Sequence, residues 1–221
     1  MTGSNVIAID GPSGVGKGTV ARALASALNC LHVDTGAMYR AVAWKAMHDG
    51  HELDDDTAVT KVATRSRFTL DGASVFIDGQ DVTELIRTPT MDAAAASVAR
   101  IPGVRAALVL QQRKLADAGR VVMEGRDIGT AVFPDALVKI YLDASPEERA
   151  ARRVKDSAHR LSKSSGIAEV ASALKARDYL DRTRRTSPLM KASDAVRIDT
   201  TGIPIDVVVK RVFEVINARL P

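Results

Sequence analysis

Hydrophobic and polar positions follow two different periods along this chain, and each change of period marks a structural element. The run VIAID, which ends at Asp10, is short and rich in β-branched residues, as a buried strand is. The apolar residues of VARALASALN recur at helical spacing. Between the two runs lies GPSGVGKGT, a glycine-rich loop. The pattern predicts a strand, a loop and a helix, an arrangement typical of phosphate-binding sites.

Strands and helices continue to alternate along most of the chain. LHV, VVMEG, VKIYLDA and AVRID are the other runs that predict strands. Helices are predicted for TGAMYRAVAWKAMHDG, residues 52–66, MDAAAASVARI, VRAALVLQQRKLADAG, SPEERAARRVKDS, residues 167–183 and IDVVVKRVFEVINARL. RDIGTAVFPDA is predicted to be a loop. This alternation indicates a mainly parallel sheet with right-handed crossovers.

Two segments break the alternation. Residues 67–83, RFTLDGASVFIDGQDVT, contain three short β-like pieces joined by Asp-Gly turns, which predicts a small antiparallel meander. HRLSKSSG, which ends at Gly166, is polar and basic and shows no apolar period. We expect this second segment to be a mobile loop.

The composition is typical of a folded globular protein. Of 221 residues, 46% are hydrophobic and 26% are charged, which fits one large unit with an insertion or two small ones. Cys30 is the only cysteine and the four histidines lack ligand spacing, so we expect neither an internal disulfide nor a structural zinc site. Because the sequence shows no basic leader and no long apolar stretch, we expect a cytoplasmic protein without a membrane partner.

Charge is unevenly distributed. Lysine and arginine total 31 against 27 acidic residues, a net charge of +4. Residues 145–192 hold 12 basic and 6 acidic side chains, a net charge of +6, which leaves −2 for the rest of the chain. Arginine accounts for 21 of the basic residues, and its planar guanidinium binds phosphate or carboxylate at two points. The pattern favours a phosphorylated ligand, although arginines that only solvate a helix face look the same in sequence.

The loop after the first strand has the spacing GxxxxGK, from Gly11 to Lys17. In that motif backbone N–H groups surround the β-phosphate, and the lysine bridges the β- and γ-phosphates. Gly18 stands where the common motif has a magnesium-binding hydroxyl, and Thr19 follows it. We therefore expect Mg²⁺ to be held mainly by phosphates and water.

Two further motifs carry charge at points where an anion could bind. In DTGAMYR, Thr35 can cap a helix from which Arg40 projects, although a capped helix with a surface arginine has the same sequence. EGRDIGT follows a strand, where the ligands of open parallel sheets gather. Its Arg126 and Asp127 either face such a ligand or form a structural ion pair.

A third motif, RDYLDRTRR, places Arg177, Asp181 and Arg184 on one face of a helix. Such a pattern is also typical of a solvated ladder of salt bridges. The residues alone do not decide between the two.

Together and in this order, these motifs resemble those of the bacterial cytidylate kinases. The matching segments are GPSGVGKGT, DTGAMYR, the β insertion, IPGVR, EGRDIGTAVFPDA, VKIYLDAS and RDYLDRTRRTSPL, which cover nearly the whole chain. The family consists of nucleoside monophosphate kinases that use ATP to convert CMP and dCMP to the diphosphates. GKGT is shared with adenylate-kinase-like enzymes, whereas the GRD element, the meander and the arginine-rich helix are specific to the cytidylate branch.

The resemblance implies an α/β fold of the P-loop NTPase type. A five-stranded parallel sheet flanked by helices is expected, with a small antiparallel β insertion and a lid over ATP, in a single kinase unit. The core falls at about 1–34, 84–150 and 186–221, the monophosphate-binding region at about 35–83 and the lid at about 153–166. We expect a monomer whose partners are ATP and CMP or dCMP, and which binds no nucleic acid.

The resemblance also assigns functional residues. Those expected to bind ATP are Gly11, Pro12, Ser13, Gly14, Val15, Gly16, Lys17, Gly18 and Thr19. Those expected to bind CMP are Arg40, Arg126 and Arg184 at the phosphate, Arg177 and Asp181 at the ribose, Arg105 and Asp127 at the base, and Thr35 and Tyr39 in the same pocket. Those expected to act in the transfer are Lys17, Arg126, Arg184 and Arg153, the last on a lid helix that also carries Arg149 and Arg152. At the serine that the family commonly places near the base, this chain has Ala96, with Ser97 one step on.

The implied chemistry needs no general base, since an acceptor phosphate with a second pKa of about 6 is already ionised at neutral pH. Lys17, Mg²⁺ and the arginines then act by positioning the phosphates and neutralising their charge. A kinase of another small metabolite would share the loop without needing Arg105 and Asp127. A GTPase switch is disfavoured because no NKxD motif occurs, and RNA binding because aromatic residues are only 4% of the chain.

Overall fold

The structure, a computed structural model, describes residues 5–155 and 166–219. Within these ranges the chain forms eight strands and eight α-helices. In chain order they are β1 (Val6–Asp10), α1 (Lys17–Ala27), β2 (Leu31–Asp34), α2 (Thr35–His48), α3 (Asp56–Arg65), β3 (Phe68–Asp71), β4 (Ser74–Ile77), β5 (Gln80–Asp81), α4 (Pro89–Val98), α5 (Pro102–Leu115), β6 (Val121–Gly125), β7 (Val138–Asp143), α6 (Pro146–Lys155), α7 (Ile167–Thr183), β8 (Val196–Asp199) and α8 (Ile205–Asn217).

The larger sheet of the described residues has five strands in the order β2-β6-β1-β7-β8, and every pair is parallel. β1 lies at its centre, with Val6 opposite Val121 of β6 and Ile7 opposite Val138 of β7. All five residues of β1 are buried, as expected of a parallel strand with both faces covered. The predicted α/β fold with a five-stranded parallel sheet is confirmed.

The predicted meander is also confirmed. β3, β4 and β5 form an antiparallel sheet in that order, with Phe68 opposite Ile77. In the second turn Asp78 and Gly79 both have positive φ, 52° and 81°. Two-residue hairpin loops favour such angles because they match the twist of the flanking strands, and Asp-Gly adopts them readily.

The described residues divide into two compact units. The first contains residues 5–34, 113–155 and 166–219, and the second contains residues 35–112. In the first unit α1 and α8 pack on the five-stranded sheet, where Leu24 and Val212 join the strand residues in one apolar core. In the second unit α2 packs against α4 and β4 around a smaller core that includes Ala41 and Ile77.

Residues 84–112, which the sequence analysis places with the core, pack in the second unit because α4 lies against α2. Most of the expected lid, residues 156–165, lies outside the described residues. The functional division into core, monophosphate-binding region and lid stays a prediction.

Two local expectations differ from the structure. The helix expected from residue 52 begins at Asp56, because the Asp55 carboxylate caps it by accepting the N–H groups of Thr57 and Ala58. The expected loop after β6 is wrong for Ile128–Val132, which forms a π-helical turn. The carboxylate of Asp10, in β1, accepts the first two N–H groups of this turn. Because the two partners are far apart in the sequence, no local sequence pattern predicts this contact.

No single helix in the described ranges has the length and apolar character needed to cross a membrane. The bent pair α4 and α5, which meet at 101°, reaches that length and composition only together. Helices in the core of a protein can reach the same length and apolar character.

Val212→Ala is expected to lower the free energy of unfolding by about 2 kcal/mol, because Val212 is fully buried on α8 and the substitution leaves a cavity. Val207→Ala, on the same helix but 36% exposed, is the matched control and is expected to cost less than about 0.5 kcal/mol. Urea titration followed by circular dichroism measures both. Equal effects of the two substitutions would show that α8 does not pack as described.

Candidate active site

The glycine-rich loop connects the end of β1 to the start of α1, and its backbone needs glycine at several points. Gly11, Gly14 and Gly16 have φ of 146°, 82° and 93°, a region that other residues rarely adopt. A Cβ on Gly11 would lie 2.1 Å from the backbone oxygen of Leu142 on the adjacent strand β7. The loop therefore passes so close to the sheet that no side chain fits at its first position.

Lys17 is buried at the first position of α1. Its Nζ donates a hydrogen bond to the backbone oxygen of Pro12 at 2.7 Å, so the side chain lies over the loop. Burial, together with the neighbouring guanidinium of Arg126, lowers the pKa of Lys17 to about 7, while the carboxylate of Glu124 opposes the shift. An anion that entered the loop would stabilise the charged ammonium.

Asp10 is a residue whose role the sequence analysis misses. Its two carboxylate oxygens accept the N–H groups of Ile128 and Gly129, each at 2.8 Å. Burial raises the pKa of Asp10 to about 6, although the two N–H groups act in the opposite direction. The carboxylate joins the end of β1 to the π-helical turn that follows the predicted site residue Asp127. The only sequence signal was its place at the end of a buried strand.

The first unit brings together four of the residues assigned to CMP. Arg126 Nε donates to Asp181 Oδ2 at 2.8 Å, and Arg184 Nη2 lies 3.1 Å from Asp127 Oδ1. Arg184 Nη1 is also 3.9 Å from Asp181 Oδ1, so that the two ion pairs join in one group. Asp127 therefore pairs with Arg184, and not with its sequence neighbour Arg126.

The electrostatics of the pair Arg126 and Asp181 favour the ionised forms of both side chains. Burial by itself would raise the pKa of Asp181, but Arg126 and the predicted ribose-binding residue Arg177 outweigh it and hold that pKa below the ordinary value. Burial likewise opposes the charge of Arg126, yet Asp181 keeps its pKa above the ordinary value. Arg126 and Asp181 thus stabilise each other as a buried ion pair.

The second unit holds four more of the residues assigned to CMP, while Arg177 lies on α7 of the first unit. Arg105, on α5, is 2% exposed; its Nη1 donates to the hydroxyl of Tyr39 at 3.1 Å, and its guanidinium carbon lies 5.7 Å from the centre of that ring. Arg40 Nη1 lies 3.7 Å from Asp92 Oδ1 of α4. Thr35 is the buried first residue of α2. Within this unit the structure therefore pairs Tyr39 with Arg105 and leaves Arg40 with an acidic partner on α4.

The serine that the family commonly places near the base would fall at position 96, which lies on α4. Ala96 is buried, whereas Ser97 is exposed and its Oγ lies 3.4 Å from the backbone oxygen of Ala93, one turn earlier. The two neighbours point to different sides of the helix. Ser97 therefore does not occupy the place of a side chain at position 96.

The three arginines of the lid helix differ in their contacts. Arg149 Nη1 donates to the backbone oxygen of Ser13 at 3.1 Å, and Arg152 Nη1 donates to that of Val15 at 3.3 Å. Both side chains thus hold the backbone of the glycine-rich loop. For Arg153, which is half-buried, the role in transfer stays a prediction.

Glu124, at the end of β6, is another residue that the sequence analysis misses. Its Oε1 lies 3.0 Å from His32 Nε2 of β2. A Cβ on Gly18 would lie 3.1 Å from the same oxygen, so the carboxylate borders the loop where the common motif has its hydroxyl. No group of three or more His, Cys, Asp or Glu residues that could hold a metal occurs in residues 5–155 and 166–219.

The parallel sheet and the glycine-rich loop at the end of its central strand define the fold of the P-loop kinases. A solved gluconokinase from Sinorhizobium meliloti shares this fold with a TM-score of 0.52 and 16% identity, covering 99% of this chain and 97% of its own. At that identity the likeness concerns the fold alone.

The sequence narrows this class to one family. The family model of cytidylate kinase matches residues 7–218. A cytidylate kinase from Caldanaerobacter subterraneus subsp. tengcongensis is 47% identical over 96% of this chain and 94% of its own length. One from Pelotomaculum thermopropionicum is also 47% identical, over 96% of both chains. The chain belongs to the cytidylate kinase family, as the resemblance of its motifs predicts.

Lys17→Met is expected to stabilise the fold, because it removes a buried charge. The pKa of Lys17 is about 7 in the folded state and 10.5 in the reference state. Between pH 7 and pH 10.5 the unfolded chain therefore binds more protons than the folded one, so the free energy of unfolding of the wild type rises with pH. The variant should gain about 1 kcal/mol or more at pH 6, and the gain should shrink toward pH 10.

Thermal unfolding at both pH values measures this difference. Lys210→Met, which removes an exposed lysine of α8, is the control and should show no such dependence. A Lys17→Met variant that is less stable than the wild type at pH 6 would contradict the burial of an unfavourable cation at Lys17.

Proposed function

We propose that this protein transfers the γ-phosphoryl group of ATP to the phosphate of CMP or dCMP, forming CDP or dCDP. Membership of the cytidylate kinase family supports the reaction class. The observation that carries the proposal is the arrangement in the first unit, where a buried Lys17 over the loop accompanies the paired group Arg126, Asp127, Asp181 and Arg184. This unit contains cations for two phosphate-bearing substrates.

The loop is the proposed site of ATP. Its positive φ angles let successive backbone N–H groups turn toward one anion, and the start of α1 adds the positive end of a helix dipole. Lys17 supplies an ammonium whose charge an incoming polyphosphate stabilises. Arg149 and Arg152 are among the side chains that hold the backbone of the loop.

The residues around the loop fit Mg²⁺, the cofactor that this chemistry implies. Glu124 offers carboxylate oxygens beside Gly18, and Mg²⁺ prefers oxygen ligands while keeping several waters. Glu124 is the acidic side chain that borders Gly18, so we propose that it holds the hydrated ion. When bound, Mg²⁺ neutralises charge on the transferring phosphates.

Transfer requires positioning and charge neutralisation, and no general base. The CMP phosphate is ionised at neutral pH, so its oxygen attacks without first losing a proton. Arg126 and Arg184 are proposed to bind this phosphate, and Lys17 and Arg153 to stabilise charge on the transferring group. Because Asp181 and Asp127 hold Arg126 and Arg184 in advance, little reorganisation is needed when the substrate binds.

Recognition of cytosine is assigned by the family resemblance to Asp127 and Arg105. Cytosine presents an amino donor at N4 and acceptors at N3 and O2, which suit a carboxylate and a guanidinium. Uracil reverses the first two, so that its O4 would meet the carboxylate and its N3–H the guanidinium. Each mismatch leaves a buried polar group unpaired, at a cost of about 1 to 3 kcal/mol.

The proposal is tested by coupled measurement of ADP release with CMP, dCMP, UMP and AMP as acceptors, and with gluconate as a non-nucleotide acceptor. We expect CMP and dCMP to be phosphorylated and UMP to have a kcat/KM lower by about tenfold or more, which two unpaired groups would cause. Turnover of gluconate without turnover of CMP would show that the protein is a kinase of another small metabolite. Its expected cytoplasmic location and monomeric state stay predictions.

Asp127→Ala is expected to lower kcat/KM for CMP by about tenfold or more and to narrow the ratio of CMP to UMP activity, since it removes the acceptor for N4. Arg184→Ala is the matched control, because it removes the ion-pair partner of Asp127 but acts on a phosphate that both nucleotides share. It should lower both activities by the same factor. If Asp127→Ala also left the ratio unchanged, Asp127 would serve only to hold Arg184.

A further inference from the structure

Two charged side chains that are not part of the glycine-rich loop bind the backbone of its residue Ser13. Arg149 Nη1, on α6, lies 2.5 Å from Asp178 Oδ2, on α7, and the same nitrogen donates to the backbone oxygen of Ser13. Asp178 Oδ1 accepts the N–H of Ser13 at 3.4 Å. Arg149, Asp178 and Ser13 are 6%, 7% and 5% exposed, so that this ion pair is shielded from water.

These contacts determine which way the loop peptides face. In a trans peptide the C=O and the following N–H point in opposite directions. Because Arg149 binds the carbonyl of Ser13, the N–H of Gly14 must point away from Arg149. In the preceding peptide, Lys17 binds the carbonyl of Pro12 and Asp178 accepts the N–H of Ser13, so both ends of that peptide are held.

The orientation matters because a carbonyl that turned toward a bound phosphate would repel it, whereas an N–H attracts it. Loops rich in glycine change their peptide orientation at little steric cost. A buried ion pair that binds one carbonyl and one N–H of the same residue removes that freedom. Arg152, which binds the carbonyl of Val15, constrains a third peptide of the loop.

We propose that Arg149 and Asp178 are positioning residues for the phosphate site, which fix the Ser13 peptides so that the loop binds a polyphosphate. They act through the loop backbone and do not touch the ligand themselves. The inference rests on the proposed function only in taking ATP as the polyphosphate.

The ion pair also connects this positioning to two helices. α6 carries Arg149 and ends at Lys155, and α7 carries Asp178 and begins at Ile167. The two helices pack against each other in the first unit. The same pair therefore stabilises the contact between α6 and α7 and sets the loop, and an experiment must separate these two effects.

The double variant Arg149→Met/Asp178→Leu separates them. Replacing both partners of a buried ion pair by apolar groups of similar size often preserves stability, whereas removing one leaves a buried charge unpaired. We expect the double variant to melt near the wild-type temperature but to bind ATP at least about tenfold more weakly, through loss of hydrogen bonds to a charged group. Isothermal titration with ATP and no acceptor measures the affinity.

Two further readouts, a control and a second variant complete the test. Amide resonances of Ser13 and Gly14 should shift in the ligand-free double variant, and KM for ATP should rise far more than KM for CMP. Asp194→Asn, which weakens an ion pair with Lys139 away from the loop, is the control and should leave ATP affinity unchanged. If the double variant does not fold, Asp178→Asn, which keeps the shape and one acceptor, should still weaken ATP binding by about threefold or more.

A folded double variant, or a folded Asp178→Asn variant, that binds ATP within twofold of the wild type would overturn the proposal. This outcome is distinct from failure of the proposed function. In that second case the wild-type protein itself would fail to bind ATP or to phosphorylate CMP, whatever the variants do.

Discussion

The first unit collects several cations in its interior, and buried cations must be paired before any anion arrives. An uncompensated charge of this kind costs several kcal/mol, so the carboxylates that accompany the arginines decide where each guanidinium points. Asp181 holds Arg126, Asp127 holds Arg184 and Asp178 holds Arg149. The acidic residues therefore determine the positions of these guanidinium groups as much as the arginines themselves do.

Most of the carboxylates near the loop and the arginines come from the ends of two strands and from one helix. The carboxyl ends of β1 and β6 lie side by side in the parallel sheet, which brings Asp10 and Glu124 to one edge together with the loop. α7 supplies Asp178 and Asp181, which are three positions apart and serve different partners, Arg149 of α6 and Arg126 after β6. One helix thus links the loop backbone to the paired arginines.

Sequence reasoning reached the fold, because strand and helix periods, glycine spacing and Asp-Gly turns are local signals, and it named candidate site residues whose roles stay predictions. It did not reach the pairing of those residues. The helical spacing placed Asp181 beside Arg184, yet the shorter contact of Asp181 is with Arg126, 55 positions away. The contact of Ser13 with Asp178 spans 165 positions. Such pairings depend on tertiary packing, and no local period records them.

The low pKa of Lys17, about 7, gives the glycine-rich loop a variable charge. Near neutral pH the ammonium is only partly protonated, and a ligand with several negative charges draws a proton onto it as it binds. By linkage, affinity for such a ligand falls as the pH rises above 7, until the pKa of the occupied site is reached. A singly charged anion offsets less of the free-energy cost of burying that ammonium. The lowered pKa of Lys17 therefore favours anions with several charges over singly charged ones at this loop.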